Sequence, residues 1–121
     1  MRRRALIVFG AAAAASAVTA GRSAWAHAIL IESVPRPGGT VAAGRTALHL
    51  RFNSRIDHAR SQLRLVASDG ATRLLVIANG SAPDVIDADV ELRPGAYTLR
   101  WQVLAVDGHL TRGEVAFSVT A

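Results

Sequence analysis

The sequence predicts an all-β chain folded as an antiparallel β-sandwich of about seven strands. Three observations predict it. Apolar residues alternate with polar ones in several short runs. Glycine- or proline-bearing turn signals recur every ten residues or so. After the first segment, no window sustains a helical pattern over three turns. In chain order, Ala28 to Ser33 is a short apolar run stopped by Pro35-Arg36-Pro37-Gly38-Gly39, a strong breaker. Thr46 to Phe52 alternates, with Leu48, Leu50 and Phe52 on one face and His49 and Arg51 on the other. Ser54 to Arg60 reads as a short helical turn or an irregular loop. Gln62 to Ala67 sends Leu63 and Leu65 inward and Arg64 outward, and Ser68-Asp69-Gly70 turns the chain. Thr72 to Ile77 is a further β-rich run ended by Asn79-Gly80-Ser81. Val85 to Leu92 is studded with acids and reads as an edge strand. Past Pro94-Gly95, Tyr97, Leu99, Trp101 and Val103 share one face, the clearest strand of the chain. The last strand runs near Glu114 to Thr120 with Val115, Phe117 and Val119 inward. Tyr97 fits either a tyrosine corner, its hydroxyl bonded to nearby backbone, or a plain core aromatic.

The first 26 residues have another character. Arg2, Arg3 and Arg4 precede an alanine-rich apolar stretch from Ala5 through Val18, and Ala24-Trp25-Ala26 has the small-x-small pattern read by a signal peptidase. The stretch is short of the roughly 20 apolar residues of a membrane span. Residues 1–26 are therefore expected to be a cleaved signal peptide, of the Sec or twin-arginine type, and residues 27–121 the mature periplasmic domain. Removing 26 of 121 residues leaves 95, one domain with a modest core. Four of the fourteen arginines leave with the signal, so ten face nine acids in the mature chain and the formal +5 falls to +1. No basic run survives, which argues against nucleic-acid or anionic-membrane binding. A monomer is expected. Cysteine is absent, and the single methionine is Met1. The mature chain thus has no disulfide and no sulfur ligand for zinc-finger, iron–sulfur or blue-copper chemistry.

Cleavage after Ala26 makes His27 the first residue. An N-terminal histidine offers its α-amine and imidazole Nδ1 to one metal ion as a chelate, which an internal histidine cannot do. A second pair of donors stands at Asp107-Gly108-His109: residues two apart in extended chain point the same way, and Gly108 permits a tight approach. D-G-H is also an ordinary turn. If the first strand neighbours the last hairpin, His27, Asp107 and His109 together supply three nitrogens and one oxygen. Such a set favours Cu(II), which also stands highest among the divalent ions; Cu(I) would want sulfur. Zn(II) is the chemical runner-up. The α-amine (about 7.7–8.0) and histidine (about 6.5) must both be unprotonated to bind. His49 reads as a solvated surface residue. His58, beside Asp57, reads as surface, with a third imidazole or an outer-shell group as the other possibilities.

The chain resembles the CopC-type periplasmic copper-resistance and copper-carrier family. The marks are His27-Ala28, Ser33-Val34-Pro35-Arg36-Pro37-Gly38, Leu48-His49-Leu50-Arg51-Phe52, Pro94-Gly95-Ala96-Tyr97-Thr98-Leu99-Arg100-Trp101 and Val106-Asp107-Gly108-His109, followed by Gly113 and Phe117-Ser118-Val119. The resemblance implies an immunoglobulin-like Greek-key sandwich or barrel that binds one Cu(II) through His27, Asp107 and His109. It implies a carrier or sequestering role without catalysis, beside a CopD-type membrane partner. Two departures stand out. The methionine-rich Cu(I) loop of some members is missing. Many members carry an acid shortly after the phenylalanine of the second strand, where this chain has Phe52-Asn53-Ser54-Arg55. That position is vacant here, or Ser54 or Asp57 does its work; loss of an outer-shell partner typically weakens metal binding about 10–100-fold.

Two other functions compete. A copper monooxygenase-like enzyme would also use an N-terminal histidine. Asp107 would fill a coordination position and disfavour reduction, however, and the mature chain has few aromatic residues (Phe52, Tyr97, Trp101 and Phe117) for a substrate surface. A metal-free interaction domain is the third reading, since the fold often serves that way.

Overall fold

The computed structural model describes residues 28–121; the expected signal peptide and His27 lie outside the described residues. The strands are β1 (Leu30–Val34), β2 (Gly39–Ala42), β3 (Gly44–Phe52), β4 (Gln62–Ala67), β5 (Thr72–Leu75), β6 (Val85–Leu92), β7 (Gly95–Leu104) and β8 (Leu110–Thr120), with one 3-10 turn at His58–Arg60. They form two sheets, β1-β3-β6 and β2-β8-β7-β4-β5. The chain changes sheet at β1–β2, β2–β3, β3–β4, β5–β6 and β6–β7, the crossed-over order of an immunoglobulin-like sandwich. Among the described residues, no helix is long and apolar enough to cross a membrane.

Alternation decides which side of each sheet is buried. Leu48, Leu50 and Phe52 of β3, Leu63 and Leu65 of β4, Leu99, Trp101 and Val103 of β7, and Val115, Phe117 and Val119 of β8 all lie in one core between the sheets. β6 is an edge strand, as its acids suggested: Ile86, Ala88, Val90 and Leu92 point inward while Asp87, Asp89 and Glu91 stay outside. Tyr97 forms the corner. Its hydroxyl donates to the Arg93 carbonyl at 2.8 Å, and its ring stacks on Phe117 with centroids 5.7 Å apart.

Three features were not visible in the pattern. The chain has an eighth strand, β2, which pairs in parallel with β8 from Gly39↔Phe117 to Ala42↔Thr120. The Pro-Arg-Pro-Gly breaker does end β1, but it also swings the chain across to the other sheet. There Gly38, at φ 75°, donates its N–H to the Ala116 carbonyl. A four-residue strand is too short to show a period. β5 stops at Leu75 instead of Ile77, and β8 begins at Leu110 instead of Glu114.

The early start of β8 has a packing cause. Trp101 pairs with Gly113, and a Cβ added at Gly113 would come within 2.2 Å of Trp101 Cζ2. The indole therefore takes the inward space that a side chain at position 113 would occupy, so the strand shows no apolar residue there. Phe52 meets the same indole edge to face, centroids 5.1 Å apart at 72°. Trp101 Nε1 is buried without a hydrogen-bond partner, so ring contacts hold the indole in place. Replacing Gly113 by alanine is expected to cost about 1–3 kcal/mol through overpacking. The midpoint of denaturant unfolding measures it, and an unchanged midpoint would mean that the indole can move aside.

Candidate metal centre

Asp107 and His109 sit in the five-residue connection between β7 and β8. The Ala105 N–H donates to the His109 carbonyl and the Gly108 N–H to the Ala105 carbonyl, both at 2.9 Å, so the loop closes on itself. Gly108 takes φ 93°, a left-handed conformation that glycine adopts without strain. The turn folds the two side chains toward each other. The Asp107 Oδ1 accepts the His109 backbone N–H at 3.1 Å, and Oδ2 lies 3.3 Å from His109 Nδ1.

That spacing suits a shared ion. A first-row divalent metal bound at about 2.0–2.2 Å to both atoms, with a bond angle of roughly 90–110°, needs nitrogen and oxygen about 2.9–3.5 Å apart. The His109 backbone N–H, foremost, together with the His109 side chain, holds the Asp107 carboxyl below the usual carboxylate range. Asp107 is thus an anion well below neutral pH. Both residues are exposed, so an ion can reach them from solvent.

The hairpin is clamped from the β3 side. Val106 donates to the Arg55 carbonyl at 3.1 Å, Asp57 donates to the Leu104 carbonyl at 2.8 Å, and Ile56 bridges Ala105. The beginning of the described chain is fastened beside it. Asn53 holds residue 29 in both directions: its Oδ1 accepts the Ile29 N–H at 2.7 Å, and its own N–H donates to the Ile29 carbonyl at 2.9 Å. The Thr111 hydroxyl, two residues past His109, donates to the Ala28 carbonyl at 3.0 Å. Ala28 itself is buried.

Asp107 and His109 are thus brought together, and the residue that follows His27 is anchored next to them. His27 lies outside the described residues. Among the described residues, no group of three His, Cys, Asp or Glu side chains is placed to hold a metal, so the pair at 107 and 109 requires further donors. Sequence reasoning missed the two anchors, Asn53 and Thr111. Neither bears a local signal, because each acts on backbone that is distant in sequence.

The other histidines are structural. His58 Nε2 donates to the Val85 carbonyl at 2.6 Å, and the residue is half-buried, so it sits at the surface with its ring tied to backbone. His49 Nδ1 donates to Asp87 Oδ1 at 2.7 Å on the outer face of the three-stranded sheet. The two stand-ins for the outer-shell acid have local duties. The Asp57 carboxylate accepts the Arg60 N–H and caps the 3-10 turn. The Ser54 hydroxyl donates to the Arg55 carbonyl, the same atom that accepts Val106.

Known proteins resemble this chain in sequence and fold. Residues 30–120 match the CopC domain family. Protein YobA of Escherichia coli K12 is 31% identical over 101 residues, covering 80% of this chain and 82% of YobA. Copper resistance protein C of Xanthomonas campestris pv. juglandis is 31% identical over 113 residues, covering 86% of this chain and 88% of that protein. The crystal structure of CopC from Methylosinus trichosporium OB3b superposes with a TM-score of 0.67 at 29% identity, covering 77% of this chain and 93% of that one. On this evidence of domain, identity and shape, the chain belongs to the CopC family.

Proposed function

We propose that the chain is a periplasmic Cu(II)-binding protein that carries or sequesters one copper ion for homeostasis or resistance, and that it binds without catalysing a reaction. Membership of the CopC family and the copper-resistance relative support the copper assignment. The single observation that supports the site is the hydrogen bond from Thr111 to the Ala28 carbonyl, which keeps the start of the fold at the Asp107–His109 turn. On this reading, signal peptidase cleaves after Ala26 and exports residues 27–121. His27 then gives amine and imidazole, His109 an imidazole nitrogen and Asp107 a carboxylate oxygen. The lack of sulfur in the mature chain supports Cu(II) over Cu(I) as cargo. Zn(II) can take the same donors less strongly. A CopD-type membrane protein is the proposed recipient, and the carrier is proposed to act as a monomer.

The chelate makes specific demands. In isothermal titration of the exported protein, whose intact mass should begin at His27, Cu(II) binds tightly. One extra residue before His27 blocks the α-amine and should weaken binding by more than about 100-fold, beyond the usual outer-shell loss. His27→Ala should be at least as severe, and Asp107→Ala and His109→Ala milder. Tight binding by the extended protein would remove the amine from the site.

The pH dependence has a fixed sign. Asp107 has a lowered pKa, so it loses its charge only as pH falls through that lowered value and contributes no step between pH 7 and 5. The α-amine and imidazole of His27 gain protons on the way down from neutral pH. Copper affinity is therefore expected to fall steeply from pH 7 to 5 in Asp107→Asn as in the unaltered chain. A flat profile contradicts nitrogen ligation.

Ser54 is one of the two residues that the family resemblance offers in place of an outer-shell acid, and its hydroxyl touches the carbonyl that holds Val106. Ser54→Glu is expected to tighten Cu(II) binding by about tenfold or more, the reverse of an outer-shell loss. Competition titration against a chelator reads the change; no gain would mean that the hairpin needs no outer-shell acid.

A further inference from the structure

The five-stranded sheet gathers three arginines that are scattered along the chain. Pairing sets Arg64 of β4 directly opposite Arg100 of β7, and Arg100 opposite Glu114 of β8, while Arg112 of β8 stands opposite Gln102. All three arginines alternate away from the core and are exposed. With Gln62, Gln102 and Glu114 they line a depression of about 350 Å³. Arg100 Nε donates to Glu114 Oε2 at 2.9 Å and Arg112 Nε donates to Gln102 Oε1 at 2.7 Å. These bonds steady two guanidinium planes while neutralising one charge. Arg64 has no ion-pair or hydrogen-bond partner among the described residues. Three arginines against one glutamate leave this face at a formal +2.

The opposite outer face has the other sign. On β1, β3 and β6, Glu32, Asp87, Asp89 and Glu91 stand against Arg45 and Arg51, a formal −2 with His49 neutral. Those charges are largely spent on one another: Arg45 meets Asp89 at 3.3 Å, Arg51 meets Glu32 at 3.1 Å, and His49 meets Asp87 at 2.7 Å. A mature chain of nearly balanced charge thus presents one face whose acids mostly meet neighbouring side chains and one with an unpartnered arginine. Like charges directly opposite across strands destabilise a sheet, so the Arg64–Arg100 pair brings no benefit to the fold itself.

We propose that the arginine face of β4, β7 and β8 docks an acidic protein surface, its guanidinium groups taking the partner's carboxylates. Guanidinium suits this task because its planar fork binds carboxylate bidentately. Three cations fall short of the cluster of about 4–8 that holds a protein to anionic lipid. They also fall short of the roughly 6–10 phosphate contacts of a typical nucleic-acid binder. A second copy of the chain is the poorer occupant, since three of the four carboxylates on its acidic face already meet Arg45, Arg51 or His49. Arg112 lies three residues past His109, so the docked partner stands beside the β7–β8 hairpin. The inference does not depend on the metal reading, because the face exists in the metal-free fold.

The test uses metal-free mature protein and a fluorescein-labelled decaglutamate peptide, read by fluorescence anisotropy. The peptide should bind at about 0.01 M ionic strength and release toward about 0.15 M, as the screening length falls from roughly 30 to 8 Å. The triple change Arg64→Gln, Arg100→Gln, Arg112→Gln should weaken binding by about tenfold or more, whereas Arg45→Gln with Arg51→Gln should leave it unchanged. Arg64→Gln alone touches no contact within the fold and should still weaken binding, which covers the case of a triple variant that unfolds. Any of four results overturns the proposal: no binding by the unaltered chain; equal loss in the Arg45/Arg51 control; binding to phosphatidylglycerol vesicles without binding to the peptide; or self-association at low salt that the triple change abolishes.

Discussion

A hydroxyl-to-carbonyl bond between Thr111 and Ala28 joins the two ends of this domain, and the candidate site depends on it. The chain between them spans the whole sandwich, so only the completed fold brings these residues together. Asn53 supplies the second fastening by holding residue 29 through both its side chain and its backbone. The result is a start of chain with no freedom to wander just before the point where the N-terminal donors would emerge. On the proposed reading, anchoring residues 28 and 29 lowers the entropy lost on metal capture, the general advantage of a preorganised site.

The hairpin side of the site is ordered by the same logic at shorter range. Gly108 allows the reversal, the His109 amide fixes the Asp107 carboxylate, and the carboxylate in turn meets the imidazole. Backbone bonds from Val106 and Asp57 hold the loop against the segment after β3. No cysteine or methionine takes part. Under the proposed ligation, nitrogen and oxygen donors with one anionic ligand favour the cupric state, which would set a carrier of oxidised copper apart from a protein that cycles its metal. Family membership places the chain among binding proteins rather than enzymes.

Much of the fold was legible because burial imposes a period of two. β3, β4, β7 and the C-terminal half of β8 each show their inward residues plainly, and each is where the pattern puts it. What escaped was structure without a period. β2 is four residues long and held by a parallel edge pairing. The start of β8 shows no inward apolar residue because the Trp101 indole fills that space over Gly113. The mutual approach of Asp107 and His109 was legible from their spacing about a glycine. Their anchors were not, because Asn53 and Thr111 bond to backbone that lies 24 and 83 residues away in sequence. His58 illustrates the same limit: a histidine beside an aspartate resembles a ligand, but its nitrogen belongs to the Val85 carbonyl. Charge was legible as a total and not as a distribution, since only strand pairing collects Arg64, Arg100 and Arg112 on one face.

The decisive measurement is electron paramagnetic resonance of the Cu(II)-loaded mature protein, carrying ¹⁵N at the α-amine of His27 alone. Direct coordination predicts that the nitrogen hyperfine pattern changes on this labelling and that the amine coupling disappears when one residue is added ahead of His27. A spectrum identical in labelled, unlabelled and extended protein would contradict the account, because the cupric ion would then be held without the amine on which the proposed site depends.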